Sequence, residues 1–357
     1  MTGAPLILTL SASDPYERGL ERGRAIREVL ADGIEIYLEL FAASGIPVAD
    51  VTAAADQALR ATEAWSPALA AEMRGTADGA GVELWQVVAL NARTEILSGA
   101  RGAKPGECST IVNAGSRAIG AQTWDWHDEL SAYWHLQRVS GTPRSFVGLT
   151  EHGILGKIGM NDAGIGVLFN ILGHRSDRAD GVPVHLVSAR VLAEATTLDE
   201  AIEILSTAPV STSSAITVLS QDGAVIVELS PVGARVIRPV DGVLLHTNHF
   251  LDPGLATGEK PGLYDPDSQL RLGMLTERVA EKPLPASAEL LVDYLVSGPD
   301  DVAQLCCVPE PGATLGDRWA TLATVTLDST SRTMTVSAGS PAEVSTTSVT
   351  RLTVSPR

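Results

Sequence analysis

Gly106-Glu107-Cys108-Ser109-Thr110, followed by Gly120-Ala121-Gln122-Thr123-Trp124-Asp125-Trp126, is the stretch whose reading decides the fold. Ser109-Thr110-Ile111-Val112 suits a strand, and Ala118 to Asp125 suits a second strand returning beside it. Ala114-Gly115-Ser116 supplies the turn. The hairpin carries Asp125 back towards Cys108. A cysteine thiol is mostly protonated at neutral pH and needs help to become a thiolate. A free α-amine, with a pKa of about 7.7–8.0, can take and return that proton. Within a chain no such amine exists, so the Glu107–Cys108 bond would first have to be cut. Gly99 to Glu107, rich in Gly, Lys and Pro, has the composition of an exposed linker. From Cys108 alone, a buried and inert core cysteine is the readier reading, since free cysteine is among the most buried residue types.

The 357 residues can bury a substantial core. A net charge of -17 argues against nucleic acid or an anionic membrane surface as partner. Three cysteines, two of them adjacent at Cys306-Cys307, make no disulfide framework, and the expected setting is reducing and cytoplasmic. No signal peptide is expected at Met1–Leu6, and no window reaches the ~18 apolar residues of a membrane span.

Upstream of Cys108 the pattern is helical. Leu6 to Leu10 reads as a short strand. A long helix runs from Tyr16 to about Ala43, opened by Ser13-Asp14-Pro15, and Gly19 and Gly23 would let it pack closely on a neighbour. Thr52–Ala64, Ala68–Ala77 and Leu84–Ile96 follow as helices. Arg93 and Glu95 sit among apolar neighbours and predict a paired, buried polar network. Downstream, strands are expected at Tyr133–Val139, Arg144–Thr150, Gly153–Met160 and around Asn170, with Asn161-Asp162-Ala163-Gly164 as a hairpin turn. A helix pair follows, Val184–Ala195 and one capped by Thr197 with Glu200 reaching back. Four strands come next, with Asp222-Gly223 and Asp241-Gly242 as hairpin turns. Ser268–Glu281 and Ala286–Val296 read as helices, and Trp319–Leu327 with Thr333–Ala338 as a last strand pair. Strands alternating in this way suit two mainly antiparallel sheets covered by helices, an α+β fold.

Cys108-Ser109-Thr110, the short hairpin and Gln122-Thr123-Trp124-Asp125-Trp126 resemble the acyl-coenzyme A:6-aminopenicillanic acid acyltransferase (isopenicillin N acyltransferase) family. That family belongs to the self-cleaving N-terminal nucleophile hydrolases. Further matches are Tyr16-Glu17-Arg18-Gly19, the Asn91-x-Arg93-x-Glu95 string, the Gly159-x-Asn161-x-x-Gly164 hairpin, Thr247-Asn248-His249 and Ser268-x-x-Arg271, so the likeness spans Tyr16 to Pro341. It implies the four-layer αββα sandwich, a small subunit of residues 1–107 and a large subunit of residues 108–357 that stay associated. It also implies Cys108 as nucleophile, Asp125 as its orienting carboxylate, and Asn248 with the Asn170 region as oxyanion donors, with Arg93, Glu95 and Arg271 supporting. Family members often carry Gly directly before the nucleophile; here Gly106 stands one place earlier and Glu107 intervenes.

The resemblance thus implies an amidohydrolase or acyltransferase working on a small N-acyl or acyl-thioester substrate, without metal or organic cofactor. It leaves the acceptor, water or an amine, and any oligomer beyond the α/β pair open. Two rival readings stand beside it. One is a non-catalytic small-molecule-binding protein on the same scaffold. The other is a metal-dependent hydrolase using His246 and His249, a pair with no third ligand at a recognisable spacing.

Overall fold

In the computed structural model, which describes residues 5–99, 108–115, 117–260, 267–298, 300–343 and 349–356, the helical half begins at a capped turn. The Asp14 carboxylate accepts the Glu17 amide at 3.0 Å, and Pro15 opens α1 (Pro15–Ala43). Then come α2 (Val48–Trp65), α3 (Pro67–Ala80), α4 (Leu84–Asn91) and α5 (Arg93–Ser98). The single helix expected over Leu84–Ile96 is broken at Ala92. Asn91 supplies the reason. Its side chain donates to Val87 O and Gly153 O and accepts from the Leu155 amide, tying the helix end to a sheet loop.

α1 and α3 pack through glycines on both helices. A Cβ on Gly23 would lie 2.2 Å from the Thr76 carbonyl oxygen, and one on Gly75 would lie 2.0 Å from that of Tyr16. Gly19 and Gly79 meet backbone in the same way. The backbones therefore touch where side chains would normally separate them.

Among the described residues fourteen strands form two sheets. The eight-stranded sheet holds, in spatial order, β1 (Ile7–Leu10), β4 (Trp134–Val139), β5 (Phe146–Glu151), β6 (Ile158–Asn161), β7 (Gly166–Ile171), β8 (Ser214–Ser220), β9 (Gly223–Ser230) and β10 (Gly233–Ile237). The six-stranded sheet holds β11 (Val243–His246), β2 (Thr110–Asn113), β3 (Ile119–His127), β12 (Trp319–Asp328), β13 (Thr333–Ala338) and β14 (Val349–Thr353). Among the described strands β1 pairs parallel with β4, and the other ladders are antiparallel. Inner faces meet at small residues: a Cβ on Gly120 would sit 3.1 Å from Leu168 and Leu219. α6 (Val184–Glu194) and α7 (Leu198–Thr207) cover the larger sheet. The 3-10 turn Glu289–Tyr294 and α9 (Asp267–Glu281), which follows the one-turn α8 (Pro253–Ala256), cover the smaller. The result is an αββα sandwich. No described helix is long and apolar enough to cross a membrane.

Four expectations need correction. Asp241 (φ 51°) and Gly242 (φ 77°) do close a tight turn, bridged between Val240 and Val243, but β10 and β11 lie in different sheets, so the turn is a crossing point and not a hairpin of one sheet. The helix expected over Ala286–Val296 is only the 3-10 turn Glu289–Tyr294. β13 is not the last strand, because β14 pairs with it. At Thr197 the expected cap forms with the Glu200 amide, while the Glu200 carboxylate reaches back to Thr196 N and not to Thr197 N.

Gly75→Ala is expected to lower stability by about 1–3 kcal/mol through overpacking. Gly273→Ala, in α9 with nothing within 4 Å of the added methyl, should be neutral or stabilising by up to about 1 kcal/mol. Chemical denaturation of the two variants checks the contrast.

Candidate active site

β2 and β3 pair antiparallel with Thr110 opposite Gln122. The ladder is extended by Thr123 N to Ser109 O at 3.1 Å and by Ser109 N to Thr123 Oγ1 at 3.0 Å. Cys108 therefore stands opposite Trp124, with Asp125 one residue further. By alternation, Cys108, Thr110, Gln122 and Trp124 face the larger sheet. Ser109, Ile111, Thr123 and Asp125 face the other way, where Ile111 packs with Met274 and Leu275 of α9.

The Cys108 peptide is gripped by three side chains. Its N–H donates to Asn248 Oδ1 at 3.0 Å. Its carbonyl accepts from Asn170 Nδ2 at 2.9 Å and Arg271 Nη1 at 3.2 Å. The Asn248 amide orientation follows from its partners: Oδ1 also accepts from Arg271 Nη2 at 2.9 Å, and Nδ2 donates to Ile171 O at 2.9 Å. Asn170 Oδ1 accepts from Thr110 Oγ1 at 2.7 Å and Gln122 Nε2 at 3.1 Å. Gln122 also exchanges hydrogen bonds with the Phe169 main chain, stitching the two sheets at the site. Arg271 is held by Asp267, one turn earlier, at 2.6 Å. Arg271 thus both supports the site and forms a salt bridge.

The Asp125 carboxylate accepts from Thr321 Oγ1 and, at 3.4 Å, from Thr123 Oγ1, while its backbone amide reaches the Cys108 thiol. Burial pushes that thiol up to about 12, the Asp125 charge adds to the rise, and Lys157 and Arg271 oppose it. In the continuous chain Cys108 is a protonated thiol at neutral pH. Thr321 also accepts the Cys307 amide at 2.8 Å. Cys307 in turn lines a cavity of about 680 Å³ with Gln304, Glu310, Asp317 and Trp319. Glu107 lies outside the described residues, as does Ser116 of the expected turn.

Arg93 and Glu95 are both buried, but they are not each other's partner. Arg93 forms a fork with Glu151 at 2.8 and 3.2 Å and lies 3.8 Å over the Trp126 ring. Burial alone would raise the Glu151 pKa, but Arg93 and Lys157 hold it at about 2. Glu95 Oε1 accepts from Val184 N at 2.9 Å and Thr212 Oγ1 at 2.6 Å, and its Oε2 has no partner among the described residues. Burial lifts the Glu95 carboxyl to about 7. His246 and His249 turn to different neighbours. His246 meets Glu228 at 3.0 Å and Thr247 O at 2.7 Å; His249 meets Ser268 Oγ at 2.7 Å. Among the described residues no group of three or more His, Cys, Asp or Glu is arranged to hold a metal ion. Sequence reading missed Thr321 and Lys157. Only Lys157 left a signal, as the one charge in the apolar run Ile154–Met160.

The site thus lies between two facing sheets sheathed in helices, with the cysteine at the head of an inner strand. A family model described as acyl-coenzyme A:6-aminopenicillanic acid acyl-transferase matches residues 112–343. The acyl-coenzyme A:6-aminopenicillanic-acid-acyltransferase 40 kDa form of Emericella nidulans is 31% identical over 271 residues, 73% of this chain and 74% of that protein. The chain belongs to the acyl-coenzyme A:6-aminopenicillanic acid acyltransferase family, a family of enzymes. Solved structures are more distant. A conjugated bile acid hydrolase variant from Clostridium perfringens has a TM-score of 0.48 at 12% identity, covering 69% of this chain and 92% of that one. Penicillin V acylase from Agrobacterium tumefaciens has a TM-score of 0.40 at 15% identity, covering 69% and 86%. Likeness at that distance does not bear on the chemistry.

Glu95 gives a pH test of the network. Its carboxyl rises from 4.5 to about 7 on folding, so its contribution to stability is complete below about 4.5 and is lost as pH rises through about 7. Glu95→Gln keeps an acceptor for Val184 and Thr212 and removes the titration. The melting-temperature difference between variant and parent should grow in the variant's favour across that window and level off above it. A difference that does not change with pH would contradict the assignment.

Proposed function

We propose that the protein is a self-processing cysteine amidohydrolase or acyltransferase with Cys108 as nucleophile. The observation that carries this reading is the Cys108 N–H held at 3.0 Å by Asn248 Oδ1 at the head of β2. The same contact would hold the α-amine once the preceding bond is cut. Cys108 Sγ attacks the Glu107 carbonyl carbon, the C–N bond breaks with the proton passing to nitrogen, and a thioester results. Water hydrolyses it, leaving the Glu107 carboxylate and the free Cys108 amine. That amine takes the thiol proton, and the thiolate attacks the carbonyl of a small N-acyl or acyl-thioester substrate. Asn248 and an amide of the Asn170 region stabilise the oxyanion. The leaving group departs, taking the amine's proton where it is itself an amine, and the acyl group passes to water or to an acceptor amine.

Asp125, fixed by Thr321 and Thr123, orients the amine and thiol. Arg271 holds Asn248 in place. Residues 1–107 and 108–357 form an α/β heterodimer, tied by buried pairs such as Arg93 with Glu151. The acyltransferase name of the Emericella nidulans relative supports an acyl substrate. A reducing cytoplasm suits three cysteines that are free thiols.

Intact mass under denaturing conditions should give two fragments meeting at Glu107/Cys108, and Cys108→Ala should give one chain. A parent chain that stays whole through prolonged incubation would overturn self-processing and favour the binding-protein reading. On the processed fraction, Asn248→Ala should lower kcat for an accepted amide by about 10²–10³-fold.

A further inference from the structure

Lys157, in the turn between β5 and β6, is a buried ammonium with no place in the scheme above. Its Nζ lies 4.1 Å over the Trp124 ring, and Trp124 is the residue opposite Cys108 on the same face of the sheet. Its hydrogen-bonding partner is Glu151 Oε1, at 3.5 Å. Glu151 is already satisfied by the Arg93 fork at 2.8 and 3.2 Å, and it also receives Tyr37 Oη at 3.4 Å.

The charges facing this space from each element are Arg93 of α5, Glu151 of β5, Lys157 itself and, across from it, Cys108. His185 of α6 is held neutral by burial and by the Arg93 charge. Glu151 is thus bonded by two cations, while Glu95, on α5 beside Arg93, has its carboxyl lifted by burial to about 7. An uncompensated buried charge is costly, and one more anion on the Cys108 side would balance the group. Arg271 approaches Cys108 from α9, but Asp267 neutralises it; Asp125 of β3 adds negative charge on the opposite face. Burial draws the Lys157 ammonium down to about 8, with Glu151 and Cys108 opposing, so it is charged at neutral pH.

We propose that Lys157 is a positioning residue whose charge, sharing Glu151 with Arg93, holds the Cys108 thiolate in the space between the sheets. This rests on Cys108 being the nucleophile. Its consequence is that proton loss from Cys108 is supported from two sides, by the α-amine as acceptor and by Lys157 as counter-ion.

The test is the pH dependence of iodoacetamide alkylation at Cys108, followed on the Cys108 peptide by mass spectrometry. Lys157→Met and Lys157→Gln should move the midpoint up by about one pH unit or more and slow alkylation at neutral pH about tenfold. Lys157→Arg should restore it. An unmoved midpoint in a folded neutral variant overturns the inference alone, while no alkylation of Cys108 in the parent at any pH overturns the nucleophile reading as well. Should neither neutral variant fold, the parent decides. Its iodoacetate-to-iodoacetamide rate ratio at Cys108 should exceed that of glutathione, and an equal or lower ratio overturns the inference.

Discussion

The site depends on how one peptide unit at the head of β2 is satisfied. Buried N–H and C=O groups need partners, and the residue that opens a strand has no ladder on its upstream side. At Cys108 the missing partners are side chains: Asn248 for the N–H, Asn170 and Arg271 for the carbonyl. They come from the segment after β11, from β7 and from α9. Both sheets and the outer helix layer must therefore be in place before this residue is held. Gln122 reinforces the arrangement by bonding the Phe169 main chain across the sandwich. The set of residues that satisfies the backbone is the same set that the proposed chemistry uses.

A second layer of buried polarity joins the helical half to the sheets. Arg22 reaches Gln137 at 2.7 Å, Asn91 reaches Gly153 and Leu155, Arg93 reaches Glu151, and Glu95 reaches Val184 and Thr212. All of these cross from residues before 108 to residues after it. Breaking any one leaves a desolvated group without its partner, which is strongly unfavourable. After the proposed cut, these contacts together with the apolar core that the two segments share would keep the pieces together without a covalent link.

Much of this was legible where the signal is local. The helix start at Ser13-Asp14-Pro15, the Gly19 and Gly23 packing face, the β2–β3 hairpin and the Asn161 turn all follow from chemistry within a few residues. Asn161 Oδ1 accepts the Ala163 and Ile165 amides, as a turn asparagine does. What failed was non-local. Asp241-Gly242 carries the positive φ values of a tight turn, yet nothing in those residues says that the strands on either side join different sheets. The Ala92 break is imposed by a distant loop that binds Asn91. For Arg271 the resemblance implied a supporting role, and the fold adds a salt bridge because one guanidinium has donors enough for Asp267, Cys108 and Asn248. Lys157 stood out only as a charge in an apolar run, and its meaning required knowing that Trp124 lies beneath it.

The continuous chain and the cut chain differ at one atom, and the surroundings are suited to both. With the peptide intact, burial and the Asp125 charge keep the thiol near 12, and the amide nitrogen beside it cannot accept a proton. The nucleophile is assembled but held as a thiol. Cutting the bond replaces that amide with an amine titrating near 8, and Asn248 Oδ1 can accept from either nitrogen in the same place. Activation on this scheme needs no large rearrangement of the sandwich, because the acceptor that holds the strand's first N–H is already where the base will stand. The arrangement also explains why the grip on Cys108 comes from side chains. A ladder partner at that point would be a main-chain carbonyl, which could hold the amine but could not also turn an N–H towards an oxyanion, whereas an asparagine amide carries both an acceptor and donors.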